Sequence, residues 1–258
     1  MAGRGDNRLK KLGFYVGQSG AHAGRSLMLD DLATLLAHIP STAKNADYVR
    51  AIMDDNILAK ATYNNRDHAA RRMRQLYALD ADNCLYRNFR RMWDMDPESR
   101  TLLAVLLALT RDALFRASAA IITAIPVGAR LPDEAINAAL DSLSSGRMGE
   151  NTLRHAAGNI LNSWRQAGFL SSDPEPVRKR VVTGVGAVAF ALFLGWLEGR
   201  QGEALFKTPW AAVLDRPFAE LVEQASAASR RGRLQFLNAG GVLEVRFPGY
   251  LTREEESL

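Results

Sequence analysis

Apolar residues recur at three- and four-residue spacing along most of the chain, the period of helices that bury one face. Residues 26–38 place Leu27, Leu32, Leu35 and Leu36 on one side, and Pro40 closes the helix. Ser41 or Asn45 then offers a cap for a helix with Tyr48, Val49 and Ile52 inward. Over residues 67–79 the stripe is Ala69, Ala70, Met73, Leu76 and Tyr77; over residues 83–93 it is Leu85, Phe89, Met92 and Trp93. Asp96-Pro97-Glu98 is a helix start, with proline early and an acid in the first turn. Residues 99–125 are almost wholly apolar, interrupted by Arg100, Arg111, Asp112 and Arg116. Two-sided hydrophobicity of that length predicts a central buried helix, or two in line, ended by Pro126-Val-Gly128. A short helix over 132–143, a turn at 144–146 and an amphipathic helix over 150–167 follow. The last turns Leu153, Ala157, Ile160, Leu161 and Trp164 inward.

Residues 171–180 hold two prolines among polar and charged neighbours and read as a linker. Beyond them, residues 181–197 are uncharged for 17 positions, the lower bound for a spanning helix. The cations Arg178, Lys179 and Arg180 would suit a cytoplasmic flank, but the glycines dilute the segment, and a buried core element explains it without a membrane. A short element at 209–214 and a helix over 218–229 precede two β-prone runs around Asn238-Ala-Gly-Gly241, a hairpin signal. The expected fold is therefore mainly α, a helical bundle with helix-turn-helix elements and a small C-terminal β-hairpin. That hairpin is either the wing of a winged-helix module or a cap on the domain. The expected organisation is a flexible basic arm over 1–13, a helical domain over 14–170, a linker over 171–180 and a C-terminal subdomain over 181–258 with a frayed acidic tail.

Charge sharpens this picture in one place. Residues 56–93 carry Lys60, Arg66, Arg71, Arg72, Arg74, Arg87, Arg90 and Arg91 against Asp67, Asp80 and Asp82, an excess of five that equals the net charge of the chain, +5. On the two helices expected there, Arg71 and Arg74 project away from the apolar stripe with Arg72 on the flank, while Arg87, Arg90 and Arg91 cluster outward at i, i+3, i+4. Guanidinium forks match phosphate oxygens two at a time, so the clustered set points to a polyanion. The plainer reading is an ordinary solvated face. A second candidate face lies on the helix over 150–167, where Asn151, His155, Asn159, Asn162 and Gln166 line up beside Arg154 and Arg165. Amides at helical spacing can meet base edges or phosphates, although seven residues is long for a DNA-reading turn. Arg231 and Arg233, before the hairpin, form a third.

Catalytic signatures are missing from the sequence. His22, His38, His68 and His155 have no partner at metal-ligand spacing. Gly184-Val-Gly186 lacks the third glycine and the acid of a dinucleotide fingerprint, and no P-loop or nucleophile elbow is present. No enzyme, metal, cofactor or small-molecule substrate is expected. The single Cys84 excludes an intramolecular disulfide and fits a reducing cytoplasm. The basic start of the chain lacks the apolar run of a signal peptide.

Three runs resemble a known family: Asp55-Asn56-Ile-Leu with Ala61-Thr62 and Arg66…Ala70-Arg71-Arg72…Leu76; the apolar helix from Arg100 with Asp112-Ala-Leu-Phe115; and Asn151-Thr-Leu153…Leu161…Trp164-Arg-Gln-Ala-Gly-Phe-Leu170. They look like BrxA, the small subunit of BREX phage-defence systems, over about residues 26–170. The resemblance implies an all-helical fold similar to the antitermination factor NusB, DNA binding without catalysis, and partner subunits of a defence system. The chain departs from that pattern by its long part from Val181 onward. The expectation is a non-catalytic accessory subunit that binds duplex DNA mainly through backbone phosphates, with RNA as the alternative nucleic-acid partner. Its rival is a scaffold whose basic helices dock acidic partner subunits.

Overall fold

The apolar run over residues 99–125 folds as two helices, because Asp112 leaves the helical path (φ −128, ψ 108) and its carboxylate accepts the Phe115 amide at 3.0 Å. The structure, a computed structural model, describes residues 4–17, 20–132, 134–146 and 148–258. Its helices are α1 (Arg4–Leu12), α2 (Leu29–His38), α3 (Asn45–Met53), α4 (Tyr63–Tyr77), α5 (Cys84–Met95), α6 (Arg100–Arg111), α7 (Ala113–Ala124), α8 (Ala135–Ser144), α9 (Glu150–Gln166), α10 (Val185–Leu197), α11 (Pro209–Ala212), α12 (Phe218–Arg230) and α13 (Arg253–Glu256). Strands β1 (Gln235–Ala239) and β2 (Val242–Arg246) pair antiparallel, so the fold is mainly α with a small C-terminal hairpin, as the periodicity predicts. The hairpin turns on Gly240 and Gly241, whose φ values of 60° and 82° suit the two-residue turn that only glycine-like residues enter readily.

The uncharged segment forms α10, a helix buried on every side from Val185 to Gly195. At 13 residues it rises only about 20 Å, and no described helix is long and apolar enough to cross a membrane. It packs against α5, α6, α11 and α12, with Phe190 6.4 Å from Phe89 ring to ring. A helix buried this deeply must have its end groups satisfied from within the protein. Asp96 Oδ2 accepts the Gly186 amide at 2.6 Å and Ser99 Oγ accepts the Ala187 amide at 2.9 Å. At the other end Arg8 donates to the Leu197 carbonyl at 2.8 Å. The N-terminal capping requires a close approach: a Cβ on Gly184 would lie 2.4 Å from Ser99 Oγ and 3.1 Å from the Ser99 amide nitrogen. Gly184→Val is expected to lower stability by about 1–3 kcal/mol through overpacking, read as a lower melting temperature.

Several expectations need correction. Residues 4–12 are a helix, not a flexible arm: Leu12 is fully buried and Leu9 packs on the core, while positions 1–3 lie outside the described residues, as does position 133 of the expected 132–143 helix. The cap of α3 is Lys44, whose amide donates to Asp47 Oδ2 at 3.0 Å, so neither Ser41 nor Asn45 serves. Residues 171–180 are not an exposed linker. Arg178 is 1% exposed, and backbone bridges tie Val177 to Arg130 and Arg178 to Leu170. One hydrophobic core runs from Leu12 to Tyr250 across that segment, because α10 supplies its centre. The acidic tail is ordered as α13, with Thr252 capping it and Glu255 turned back onto Arg87.

Candidate nucleic-acid interface

Helix α4 starts at Thr62, whose hydroxyl accepts the Asn65 amide at 3.2 Å. Its stripe of Ala69, Ala70, Met73, Leu76 and Tyr77 is buried, as its spacing predicts, and this turns Arg71 and Arg74 to solvent. Among the described residues Arg74 has no side-chain partner. Arg71 pairs with Asp67 one turn earlier, an exposed contact that salt weakens. Arg72 is half-buried and donates to Gln75 Oε1 at 3.0 Å. Arg66 donates to the Met53 carbonyl at 2.6 Å and lies 5.9 Å from the ring centroid of Tyr63, an aromatic residue 65% exposed.

The end of α4 meets the end of α6. Arg111 donates from Nε to the Gln75 carbonyl at 2.9 Å and from Nη1 to the Gly13 carbonyl at 2.6 Å. No carboxylate among the described residues pairs with it, and burial pushes its pKa below the ordinary arginine value. Arg71, Arg74 and Arg111 with Asn45, Gln75 and Ala78 line a cleft of about 400 Å³. Lys10 and Lys11, exposed in the last turn of α1, precede the Gly13 that receives Arg111. A fixed, carbonyl-held guanidinium beside two exposed ones suits an oxyanion better than a cation or a neutral ligand.

Helix α5 does not share this face. Leu85, Phe89, Met92 and Trp93 are buried as expected, but Arg90, expected outward, has a side chain only 7% exposed. It donates to Asp94 at 2.8 Å and to the carbonyls of Leu36 and Ile39 at 2.8 and 3.0 Å. Burial disfavours its charge, yet the bond to Asp94, the Asp94 charge and the nearby Tyr86 and Tyr48 together outweigh that and raise the pKa. Arg87 is held by Glu255, and Arg91 lies 5.2 Å from the Tyr250 ring centroid, both against the C-terminal segment. Arg90→Glu is therefore expected to destabilise the fold by about 3–5 kcal/mol, as for a buried pair left with one partner, which denaturant unfolding would measure.

The other expected faces are partly used up in packing. On α9, Asn151, His155, Asn162 and Gln166 are exposed, but Asn159 donates to the His22 carbonyl at 3.0 Å and Arg165 to Ser171 and Asp173 carbonyls at 3.3 Å. Arg154 pairs with Glu150. Arg231 is exposed, whereas Arg233 donates to Met95 Sδ at 3.1 Å, tying β1 to the end of α5. Of the thirteen predicted residues, Arg71 and Arg74 line one cleft, Arg66 and Arg72 flank it on the same helix, and the rest lie on other elements.

Sequence spacing gave no hint of a buried Asp112–His22–Ser163 chain. Asp112 Oδ2 lies 2.8 Å from His22 Nδ1 and Ser163 Oγ lies 2.9 Å from His22 Nε2, the connectivity of a nucleophile, base and acid. All three residues are 0% exposed, and the Ser163 hydroxyl is also engaged by the Asn159 carbonyl and the Leu27 amide at 2.8 and 3.0 Å. Buried and fully engaged with one another, the three side chains clamp together the turn Ala21–Ala23, the start of α7 and the last turn of α9. Cys84 is equally inert: burial pushes its thiol up to about 12.

Comparison with protein families, curated proteins and solved structures finds no match to this chain.

Proposed function

We propose that the chain binds nucleic acid, duplex DNA foremost, through backbone phosphates seated on the outer face of α4. The observation that supports this reading is the convergence of Arg71, Arg74 and the carbonyl-held Arg111 on one cleft. Phosphate contact neutralises cations with release of counterions, so about three contacts give a log–log salt slope of about −3. Such contacts position a protein on a duplex without reading its sequence, and the affinity is expected to depend little on base composition. Membership of a phage-defence complex enters this reading through the family resemblance alone, and co-purification with products of neighbouring genes tests it.

The decisive experiment is a gel shift with the double variant Arg71→Glu, Arg74→Glu. Both side chains are exposed, so the melting temperature should stay close to that of the wild type. The shift of a duplex should be abolished, and single-stranded RNA of equal length run alongside reports the preference between the two polymers. A folded variant that shifts duplex and RNA like the wild type overturns the proposal.

A further inference from the structure

Between α7 and the segment over residues 207–217 the surface opens into a groove of about 940 Å³. That is the size of a small-molecule site. Its floor is small and apolar, with Ala117, Ala120 and Ala124 on successive turns of α7 facing Ala212 and Val213. Alanines leave room along the helix that larger side chains would fill.

The charges of the groove are unequally satisfied. Glu198 accepts the Trp210 indole N–H at 2.9 Å, and Asp215 stands 3.0 Å from the buried Arg178. The two acids thus have partners inside the protein. The cations Arg116 and Arg180 have no carboxylate at ion-pairing distance among the described residues. Arg116 is held by neutral carbonyls only, those of Leu109, Thr110 and Tyr15 at 3.1, 3.3 and 3.2 Å. Burial lowers its pKa, against the pull of the Asp112 and Glu198 charges farther off. A half-buried guanidinium without an ion-pair partner among the described residues, beside an exposed one and over an apolar floor, is complementary to an anion with an apolar body.

We propose that this groove binds a small amphipathic oxyanion, with its carboxylate or phosphate head at the guanidinium groups and its aliphatic body on the alanines of α7. The site is separate from the α4 cleft, which shares none of its lining residues. Octanoate, octyl phosphate, octanol and octylamine, titrated into the full chain and followed by amide NMR, test it. Octanoate or octyl phosphate should give saturable shifts at Ala117, Ala120, Ala124 and the Trp210 indole, and their relative affinity tells a carboxylate head from a phosphate one. Octanol and octylamine should give none. Arg180→Glu should weaken binding by about tenfold. Ala120→Trp, at an exposed position, should fill the groove and abolish binding, and Ala124→Phe repeats the block if the first variant does not fold. Binding of octanol or octylamine as tight as that of octanoate, a folded blocked variant that binds like the wild type, or no shift at these residues each overturns the proposal.

Discussion

Asp112→Ala is expected to lower the unfolding free energy by about 3–5 kcal/mol, a large share of what holds a domain together. The carboxylate is 0% exposed and performs three tasks at once. Its Oδ1 caps α7 through the Phe115 amide at 3.0 Å, while its Oδ2 receives the His22 amide at 2.9 Å and faces His22 Nδ1 at 2.8 Å. Removing it orphans two buried amides and the imidazole that stacks on Phe115 at 4.4 Å. The same group predicts acid lability. Burial works to raise the Asp112 pKa, but the bond and charge of His22 and the two amide bonds outweigh it, leaving the pKa below its ordinary value of 3.8. A depressed carboxylate contributes stability that is complete above its unfolded pKa and is lost as the pH falls through the folded one. Melting curves of the wild type and Asp112→Asn should thus stand far apart at neutral pH and draw together in the acid range below 3.8. A gap that persists unchanged into acid would show the ionisation of Asp112 to play no part, and a variant that melts with the wild type at neutral pH would show the carboxylate to be dispensable.

Helix faces were legible in the sequence wherever an apolar stripe had one solvent side. The stripes of α2, α4 and α9 are buried largely as their spacing predicts, and so is that of α5, although α2 and the C-terminal segment also cover its other side. The partners of the charged residues were not legible. Arg90 looked like part of an outward cluster, yet Asp94 stands four residues later, one position beyond the basic run, and Leu36 and Ile39 bring their carbonyls from α2 and its end. Glu255 reaches Arg87 from the far end of the chain. Long-range contacts of this kind leave no period in the sequence. A signal did exist in the interruptions of the apolar run: a charged residue within a buried helix must find partners, and Arg111, Asp112 and Arg116 all do. The candidate site was therefore half visible. Its α4 part follows from periodicity, and its α6 part, Arg111, is set by the carbonyls of Gly13 and Gln75.

Arg178 follows the same logic in a segment whose prolines and charges suggested a solvated linker. Its side chain is 0% exposed, donating from Nε to the Ile122 carbonyl at 3.0 Å and from Nη1 to the Lys179 carbonyl, with its guanidinium 4.8 Å from the Phe169 ring centroid. Nη2 lies 3.0 Å from Asp215 Oδ1 without hydrogen-bonding alignment, and Asp215 Oδ2 is buried with no donor among the described residues, so this pair is held by charge more than by directed bonds. Burial accordingly lowers the Arg178 pKa, against the opposing Asp215 charge. Arg178→Ala should cost about 3–5 kcal/mol, because it strands the Asp215 carboxylate and the Ile122 carbonyl and leaves a void beside Phe169. The double variant Arg178→Met, Asp215→Asn removes both charges while keeping most of the volume, and asparagine tolerates the positive φ of 56° at that position. It should recover a large part of the loss, since replacing a poorly aligned buried pair with a neutral, well-filled one is often close to neutral. Denaturant midpoints of the wild type, the single variant and the double variant decide the matter. A double variant no more stable than Arg178→Ala would mean that the guanidinium's bonds to the Ile122 and Lys179 carbonyls, and not its charge, hold residues 171–180 against the core.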